Sequence, residues 1–580
     1  MRSPLVIGVT GHRDPHPAEV PQLSRQVETF LTDLKGRLPD TELRIMTGMA
    51  QGADLLVARA AVKVGCKVDA VLPMPLEKYV ADFDAESGEA LRTLLADPAV
   101  ASSVLPPPPG VDPDAQHGGG GRSAYYANLT RALTAKCNLL LALWDGNVSP
   151  LEGGTADTVL RYLGARTPHG HPDSHIEFQT ASAEAAWGPH FVYWVPTPRL
   201  NGAEVASRQS GYLTGIGENL LALHGSEMPH ALEQAFAELD IYNREFERLN
   251  GKGAFERLDS LMPTLDSIDT SADRAELQRI DGEYGKADAL AIYYQRHSDR
   301  LFRGFSITAS CMALVFLIYA KLWANNVLLS VYVSILLLSV IVFHRLRSHQ
   351  WFSKHLVYRA LAETMRIKFF LRAARADRLV NATELINLTA IDQFSGFSWI
   401  ANLLKNVESM GAREIDDTAA DRARLQSVHR HWIVGQQEYF RRRIRALERD
   451  HRRLEVLKSV MLYMIATFAA VLLLFAHQLH DLMPGTTITG HDGVMFLMGL
   501  LPVWLGIWEL YQNKMAMREL LWQYRNQLGH FTIAELQLAR DTTTKRSQEI
   551  LAQVGKEALM ESYLWTIHRY HREYEPPAAT

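Results

Sequence analysis

The chain has 580 residues, of which 47% are hydrophobic and 21% are charged, and this length accommodates about three or four domains. Its formal net charge of −4 gives no support for a nucleic-acid-binding protein, because such proteins carry a basic excess that neutralises phosphates. The three cysteines, Cys66, Cys137 and Cys311, are too few for a disulfide framework, which is typical of a chain whose bulk lies in a reducing compartment.

The first apolar run ends directly in a glycine turn. Residues 5–10 read as a buried strand, Gly11-His-Arg13 follows at once, and a helix is predicted from about Glu19. A turn from strand to helix places free backbone N–H groups and the positive helix end where an anion can sit, and Arg13 adds a bidentate donor. The candidate ligand-binding residues of this turn are Thr10, Gly11, His12 and Arg13.

The same pattern recurs twice along the α/β part of the chain. The apolar run 43–46 leads into a turn with two glycines, and the run 139–143 is followed by Asp145 and a second Gly-rich turn. Because parallel strands present their carboxyl ends at one edge of a sheet, these turns predict a single crevice, in which Asp54 is suited to ribose hydroxyls. The candidate residues are Gly48, Gly52, Ala53, Asp54, Asp145, Gly153, Gly154 and Thr155.

A long insert separates the second and third of these turns. It contains the proline run 106–109 and the glycine run 118–121, and Arg122, Tyr125, Tyr126 and Asn128 follow. One interpretation is that Arg122 contacts a phosphate while Tyr126 stacks on a base; the other is a surface loop followed by a half-buried helix.

The segment 167–176 contains three histidines and an aspartate, His169, His171, His175 and Asp173. Their spacing matches no standard tetrahedral set, and loop histidines are commonly solvated. No metal site and no resident cofactor are therefore predicted.

The three glycine turns, taken in order, resemble the SLOG superfamily of Rossmann-like domains, and the resemblance covers residues 4–200. It implies a nucleotide-binding pocket with Gly153, Gly154 and Thr155 as the phosphate cradle, and the turns at Gly11 and Gly48 on the opposite side. Hydrolytic members carry a glutamate three residues after the threonine of their Gly-Thr motif, where this chain has Thr158. The resemblance therefore favours nucleotide binding over hydrolysis of an N-glycosidic bond.

Four uncharged apolar runs predict membrane-spanning helices, at residues 304–321, 326–343, 459–477 and 493–508. Each approaches the length that crosses a hydrocarbon core of about 30 Å. The runs are grouped in two closely spaced pairs, which indicates two hairpins. Pro502 and Glu509, in and after the fourth run, are candidates for a pore hinge and a cation-attracting ring. The alternatives are a packed kink and a head-group contact.

Basic residues flank the outer ends of both predicted hairpins and are scarce in the links between paired spans. Lys and Arg are retained on the cytoplasmic side, so both hairpins are expected to point outward and both termini to lie in the cytoplasm. The opening apolar run is too short for a cleavable signal. The flanking residues are Arg296, Arg300, Arg303, Arg345, Arg347, Arg452, Arg453, Lys458, Lys514 and Arg518.

A helix with Arg, Leu two residues later and Arg seven residues later follows each hairpin, at 359–366 and 518–525. This indicates a tandem repeat of helix, hairpin and helix, although any two hairpins with amphipathic flanks share some likeness. Residues 280–570 resemble the SLATT family of two-span membrane effectors. In that family the domains are predicted to form pores or disrupt membranes in bacterial conflict and antiphage systems, coupled to a nucleotide sensor or to a nucleotide-making enzyme.

The chain is thus interpreted as an α/β Rossmann-like domain followed by an all-α membrane domain with four spans in two hairpins. A nucleotide-derived signal, of the ADP-ribose or cyclic-oligonucleotide kind, is expected to open a homo-oligomer across the bacterial inner membrane. The alternatives are a membrane-tethered nucleotide N-glycosidase and a membrane scaffold without a ligand. The predicted division is 1–200 for the nucleotide-binding domain, 201–300 for a helical coupling region, 301–376 for the first hairpin and its following helix, 377–458 for cytoplasmic helices and 459–580 for the second hairpin and its helices.

Overall fold

The chain forms two compact units in a computed structural model. The α/β unit comprises Met1–Arg257, Asp273–Glu283 and Val380–Glu414, and the helical unit comprises Leu258–Ala272, Tyr284–Leu379 and Ile415–Thr580. The structure describes residues 2–108, 110–111, 119–149, 151–165, 176–180, 190–202, 204–207, 209–218, 220–265, 273–347, 350–380, 398–407, 417–480, 489–515, 517–540 and 543–571.

The α/β unit is built on one mixed sheet of nine strands in the order β4-β3-β2-β1-β5-β7-β8-β9-β6. Its strands are β1 Leu5–Gly11, β2 Leu43–Thr47, β3 Lys67–Leu72, β4 Val100–Val104, β5 Leu139–Trp144, β6 Glu177–Thr180, β7 Val192–Pro196, β8 Gly211–Gly217 and β9 Leu220–Leu223. Its helices include α1 Val20–Arg37, α2 Ala53–Val64, α3 Leu76–Val80, α4 Ala85–Leu95, α5 Gly119–Lys136, α6 Thr155–Tyr162 and α7 His230–Gly251.

The strands from β4 to β7 in this order are parallel, and their sequences explain why they form the centre of the sheet. All six residues of β5 are buried, and so are the first six of β1, as expected of strands covered by helices on both faces. In chain order, β2, β3 and β4 lie on one side of β1, and the next strand, β5, pairs with the other side of β1. The order of the strands therefore reverses between β1 and β5.

The sheet extends further along the chain than the sequence predicted. Almost all of the chain beyond about residue 200 was expected to be helix, whereas β8 and β9 pair antiparallel, with Leu213 opposite Leu223. The strand β8 has three glycines, and Gly residues weaken the alternating pattern by which a strand is recognised.

One later segment also belongs to the α/β unit. The helix α11, Ser398–Asn406, was placed among the cytoplasmic helices by its position in the sequence. The side chain of Asn138 donates to the carbonyl of Asn402 at 2.9 Å, and that of Asn406 donates to the carbonyl of Pro4 at 2.5 Å. These bonds join α11 to residues before β1 and β5.

The helical unit contains nearly all of the remaining described chain. Its helices are the main part of α8 Arg274–Leu317, α9 Asn326–Arg347, α10 Trp351–Ala373, α12 Ala419–Val428, α13 Gly435–His480, α14 Gly490–Met515, α15 Met517–Leu538 and α16 Thr544–His571. A π-helical turn follows α8 at Ile318–Leu322, and another precedes α13 at His429–Val434. A long helix that ends in an apolar segment, a second apolar helix and a further helix follow one another twice, as α8-α9-α10 and α13-α14-α15. This order agrees with the predicted repeat.

Four of these helices are long and apolar enough to cross a membrane. The most apolar windows of α8, α9, α13 and α14 have mean hydropathies of 1.9, 2.5, 2.1 and 1.7. At most 11% of any window is buried, and Leu473 of α13 is 85% exposed. Apolar surface of this extent is unfavourable in water and favourable in lipid. The prediction of an α/β domain followed by four membrane-length helices is confirmed, while their grouping into two hairpins stays a prediction.

Candidate functional site

The three glycine turns predicted to form one crevice follow neighbouring strands, because β2, β1 and β5 lie side by side. Backbone hydrogen bonds join the turns directly. The amide of His12 donates to the carbonyl of Leu143 at 3.1 Å, and the amide of Ala53 donates to the carbonyl of His12 at 3.0 Å. The turns meet where the strand order reverses, which is the usual position of ligand crevices in open α/β sheets.

Two of the glycines are required by contact between the first two turns. Gly52 has a φ of +87°, and a Cβ atom there would lie 2.3 Å from the carbonyl oxygen of Arg13. A Cβ atom on Gly11 would lie 2.4 Å from the Cβ of Ala53. These positions need glycine because the turns touch each other, whether or not a ligand also approaches them. The same turns carry the N-terminus of α2, which begins at Ala53.

His12 and Asp145 connect the first turn to the third. The His12 Nε2 lies 3.1 Å from Oδ1 of Asp145 and 3.0 Å from its backbone nitrogen. Burial raises the pKa of the Asp145 carboxyl, but the contact with His12 and the bond from the Asn147 amide outweigh it and hold this pKa below its ordinary value. The Asp145 side chain is therefore an ionised part of the turn, with 4% exposure.

Asp54 is buried inside the second turn. Its Oδ2 accepts hydrogen bonds from the Thr47 hydroxyl at 3.1 Å and from the Ala50 amide at 3.4 Å. Burial raises the pKa of this carboxyl to about 7, against the effect of these bonds and of the Arg13 charge. The group predicted to contact ribose is thus engaged with the loop between β2 and α2.

A cluster of four side chains joins the first turn to the start of α5. The guanidinium of Arg13 lies over the ring of Tyr126, 5.0 Å from its centre. The Tyr126 hydroxyl donates to Asp82 at 2.5 Å, and Arg122 donates to the same carboxylate at 2.7 Å. Burial raises the pKa of Tyr126, as does the bond to Asp82, so the hydroxyl keeps its proton. Arg13, Tyr126 and Arg122 were predicted separately, and the fold brings them together.

Asp82 and Arg199 were missed by the sequence analysis. Asp82 follows the short helix α3, and its partners lie about forty residues later in the chain. Arg199 pairs with Asp14 at 2.9 Å, which ties the loop after β7 to the first glycine turn. Neither residue belongs to a local motif, and no signal in a single sequence indicates them.

The third turn leads into α6, which begins at Thr155 with Gly154 as its N-cap. Gly153 has a φ of +78°, and a Cβ atom there would lie 2.6 Å from the backbone nitrogen of Ala127 in α5. Its amide donates to Asp157 at 2.9 Å. Gly154 has an ordinary φ of −81°, and the nearest atom to an added Cβ is the Leu151 carbonyl oxygen at 3.2 Å. Gly154 is therefore the glycine of this turn that tolerates a side chain best.

Thr158 faces the interior of the unit. It is 2% exposed, its hydroxyl lies 2.9 Å from that of Thr130 in α5, and it donates to the Gly154 carbonyl at 3.0 Å. The Thr158 hydroxyl is therefore occupied by bonds within the fold.

The pore candidates lie in the helical unit. Pro502 is an exposed residue inside α14, and the helix continues past it to Met515. Glu509 lies 3.3 Å from the ammonium of Lys458, which also lies 3.5 Å from Glu455. Among the described residues no cluster of three or more His, Cys, Asp or Glu side chains is arranged to hold a metal ion. The histidine segment 167–176 lies outside the described residues, except for Ile176.

Comparison of the whole chain with protein-family models and with curated protein sequences finds no match.

Proposed function

We propose that this protein is a nucleotide-gated membrane effector. The α/β unit binds a nucleotide-derived signal at the carboxyl edge of β1, β2 and β5, and an oligomer of the four membrane-length helices then permeabilises the bacterial inner membrane. Two outward hairpins, cytoplasmic termini and a role in antiphage defence belong to the same proposal. Four helices hardly enclose an aqueous path, so the active form contains several copies.

One observation carries the sensing half of this proposal. The N-terminus of α6 follows β5 where the strand order reverses, and that of α2 follows the neighbouring β2 and lies against the turn after β1. Helix N-termini favour phosphate, since their amides and dipoles point at the anion. Arg13 lies at the same edge with an exposed side chain stacked on Tyr126, and supplies a planar donor for phosphate beside an aromatic ring suited to a base.

The alternative of a nucleotide N-glycosidase has less support. Cleavage of the N-glycosidic bond needs a carboxylate beside the developing sugar cation. Thr158 holds the position of that carboxylate and is hydrogen-bonded inside the fold, while the nearby Asp157 accepts from the Gly153 amide. We therefore infer binding without turnover.

A continuous path of residues supports coupling from the crevice toward the first membrane helix. The strand β1 ends in the turn at Gly11, and just before its start the hydroxyl of Ser3 donates to Glu283 of α8 at 2.8 Å. Tyr242 also donates to Glu283, at 3.2 Å. From Glu283, α8 continues as one helix into its membrane-length segment. A shift of β1 on ligand binding is transmitted to α8 through these bonds.

Mass spectrometry of small molecules released from the purified protein identifies the ligand, and the candidates are then added back in a thermal-shift assay. The parent is expected to be stabilised by its nucleotide without release of free base. Gly154→Arg should abolish the shift, because the side chain fills the space in front of α6. The matched control is Gly36→Arg in α1, where no atom lies within 4 Å of an added Cβ. Equal shifts in all three proteins would contradict the proposed site.

A further inference from the structure

The helix α13 carries an unusual concentration of unpaired positive charge before its membrane-length segment. Seven exposed arginines between residues 441 and 453 make no ion pair with any carboxylate in the part of the chain that the structure describes; they are Arg441, Arg442, Arg443, Arg445, Arg449, Arg452 and Arg453. Glu448 and Asp450 lie among them; Arg525 binds the Glu448 carboxylate at 2.7 Å, and Asp450 lies about 180° around the helix from Arg441. Like charges at helical spacing repel one another, so this arrangement is unfavourable for an isolated helix.

Six of these seven arginines lie on one face of α13. With about 100° of rotation per residue, their positions fall within an arc of about 120°, which we call the arginine stripe. Arg443 points to a different side, where its guanidinium lies over the ring of Tyr439. Five of the six arginines, together with Glu448, line an open concavity of about 700 Å³. The charge is thus concentrated along one line and not spread around the helix.

The same face of α13 carries hydroxyl groups after the helix becomes apolar. Ser459 lies five helical turns after Arg441, and Tyr463 and Thr467 follow at intervals of four, so all three fall within about the same arc. All three are exposed, and Tyr463 is 76% exposed. No described residue bonds the Tyr463 hydroxyl. The hydroxyls of Ser459 and Thr467 donate to the backbone carbonyls of Glu455 and Tyr463, so the Tyr463 hydroxyl is the one of the three that favours a water-filled boundary over lipid.

The opposite face of this segment is the protected one. Met461, Ile465 and Phe468 are half-buried and lie on the far side of the helix from the hydroxyl groups. The face with the arginine stripe and the hydroxyls is therefore directed away from the chain's own neighbouring helices. Any aqueous boundary for this face has to be completed by further copies of the chain.

We propose that α13 lines an anion pathway between copies of this protein, with the arginine stripe at its mouth and Ser459, Tyr463 and Thr467 along its wall. This rests on the proposed membrane-permeabilising function and names the class of solute that passes: small inorganic anions. Rings of arginine attract anions and repel cations. The acidic candidate Glu509 lies 3.3 Å from the ammonium of Lys458, which also lies 3.5 Å from Glu455, so the charge of Glu509 is reduced and not cancelled.

The test is the reaction of a cysteine at residue 467 with two thiol reagents of similar size, an anionic methanethiosulfonate sulfonate and a cationic trimethylammonium analogue. The full chain carries Cys311→Ala, retains the buried Cys66 and Cys137, and is reconstituted in phosphatidylcholine vesicles without added nucleotide. The nucleotide-controlled gate is placed beyond residue 467, so reagents reach this residue from the side of the arginine stripe in the resting state as well. Phe468→Cys, on the protected face, is the control for position. The rate of each reagent with each protein is divided by the rate of the same reagent with a small free thiol.

Thr467→Cys is expected to react faster than Phe468→Cys, and to favour the anionic reagent about tenfold or more. Replacing Arg445, Arg449 and Arg452 by Gln should bring that preference close to unity, whereas Arg443→Gln should leave it unchanged. Equal rates at residues 467 and 468 would mean that this face meets lipid or protein. Reaction at 467 without charge preference, or a preference that survives the triple substitution, would overturn the role of the arginine stripe.

The rate ratio involves no nucleotide. If the expected charge preference is not found, the anion pathway is wrong and nucleotide binding by the α/β unit is unaffected. If the thermal-shift test finds no nucleotide effect, the proposed nucleotide site is wrong and the rate ratio is unaffected.

Discussion

Gly52 and Arg13 are in contact through their backbones, since a Cβ atom on residue 52 would lie 2.3 Å from the Arg13 carbonyl oxygen. This contact holds the second glycine turn against the first and places the exposed Arg13 side chain at the carboxyl edge of the sheet. The neighbouring bond from the Ala53 amide to the His12 carbonyl fixes the same arrangement.

Gly52→Ala should therefore destabilise the protein by about 2 kcal/mol or more, because it adds a backbone clash to the strain of a positive φ. We expect a lower apparent melting temperature by thermal shift. Gly36→Ala, in the exposed last turn of α1 with no atom nearby, should instead leave stability unchanged or raise it slightly. If the two substitutions shift the melting temperature alike, the two turns do not touch as described.

Tyr126→Phe removes the hydroxyl that donates to Asp82 and weakens the platform beneath Arg13. A hydrogen bond to a charged group contributes about 1.5–3 kcal/mol, so a loss of stability in this range is expected, together with weaker nucleotide binding. The control is Tyr193→Phe, since Tyr193 is half-buried and no described residue bonds its hydroxyl. A loss at Tyr126 no larger than at Tyr193 would show that the bond to Asp82 is not stabilising.

Asp54 should make stability depend on pH. Burial raises the pKa of this carboxyl to about 7 in the folded protein, whereas the ordinary value is 3.8. Between about pH 4 and pH 7 the folded state holds a proton that the unfolded state releases, so the free energy of unfolding falls as pH rises through this window. At pH 8 the ionised, buried carboxylate costs a few kcal/mol relative to the protonated form.

Asp54→Asn stays neutral and keeps an oxygen that accepts from Thr47 and the Ala50 amide. Its melting temperature should be close to that of the parent at pH 5 and exceed it increasingly up to pH 8. A difference between the two proteins that is constant from pH 5 to pH 8 would place the Asp54 pKa outside this window.

The predicted topology is testable with cysteines at exposed positions in a background without native thiols. Ala324→Cys lies between α8 and α9, and Gln553→Cys lies in α16. On intact cells an impermeant maleimide should label residue 324 and not residue 553, while both should react after lysis. The opposite pattern would place the α/β unit on the outer side of the membrane.

The sequence by itself determined the features that depend on neighbouring residues. The four membrane-length helices follow from uninterrupted apolar runs, since hydropathy is a local property and a hydrocarbon core needs a fixed length of helix. The strands β1, β2 and β5 follow from short buried runs that end in glycine turns, because such patterns reflect burial on both faces of a parallel sheet. The alternation of these strands with helices predicted an α/β unit.

Only the tertiary structure decided which distant residues meet. Asp82 joins Arg122 and Tyr126, Asn138 bonds α11 across 264 residues, and Gly52 is required by the carbonyl of Arg13. The weak strands β8 and β9 form by pairing with a neighbour that already exists, so their own residues do not predict them. These contacts depend on how strands and helices pack, and packing joins positions whose separation along the chain has no local signature.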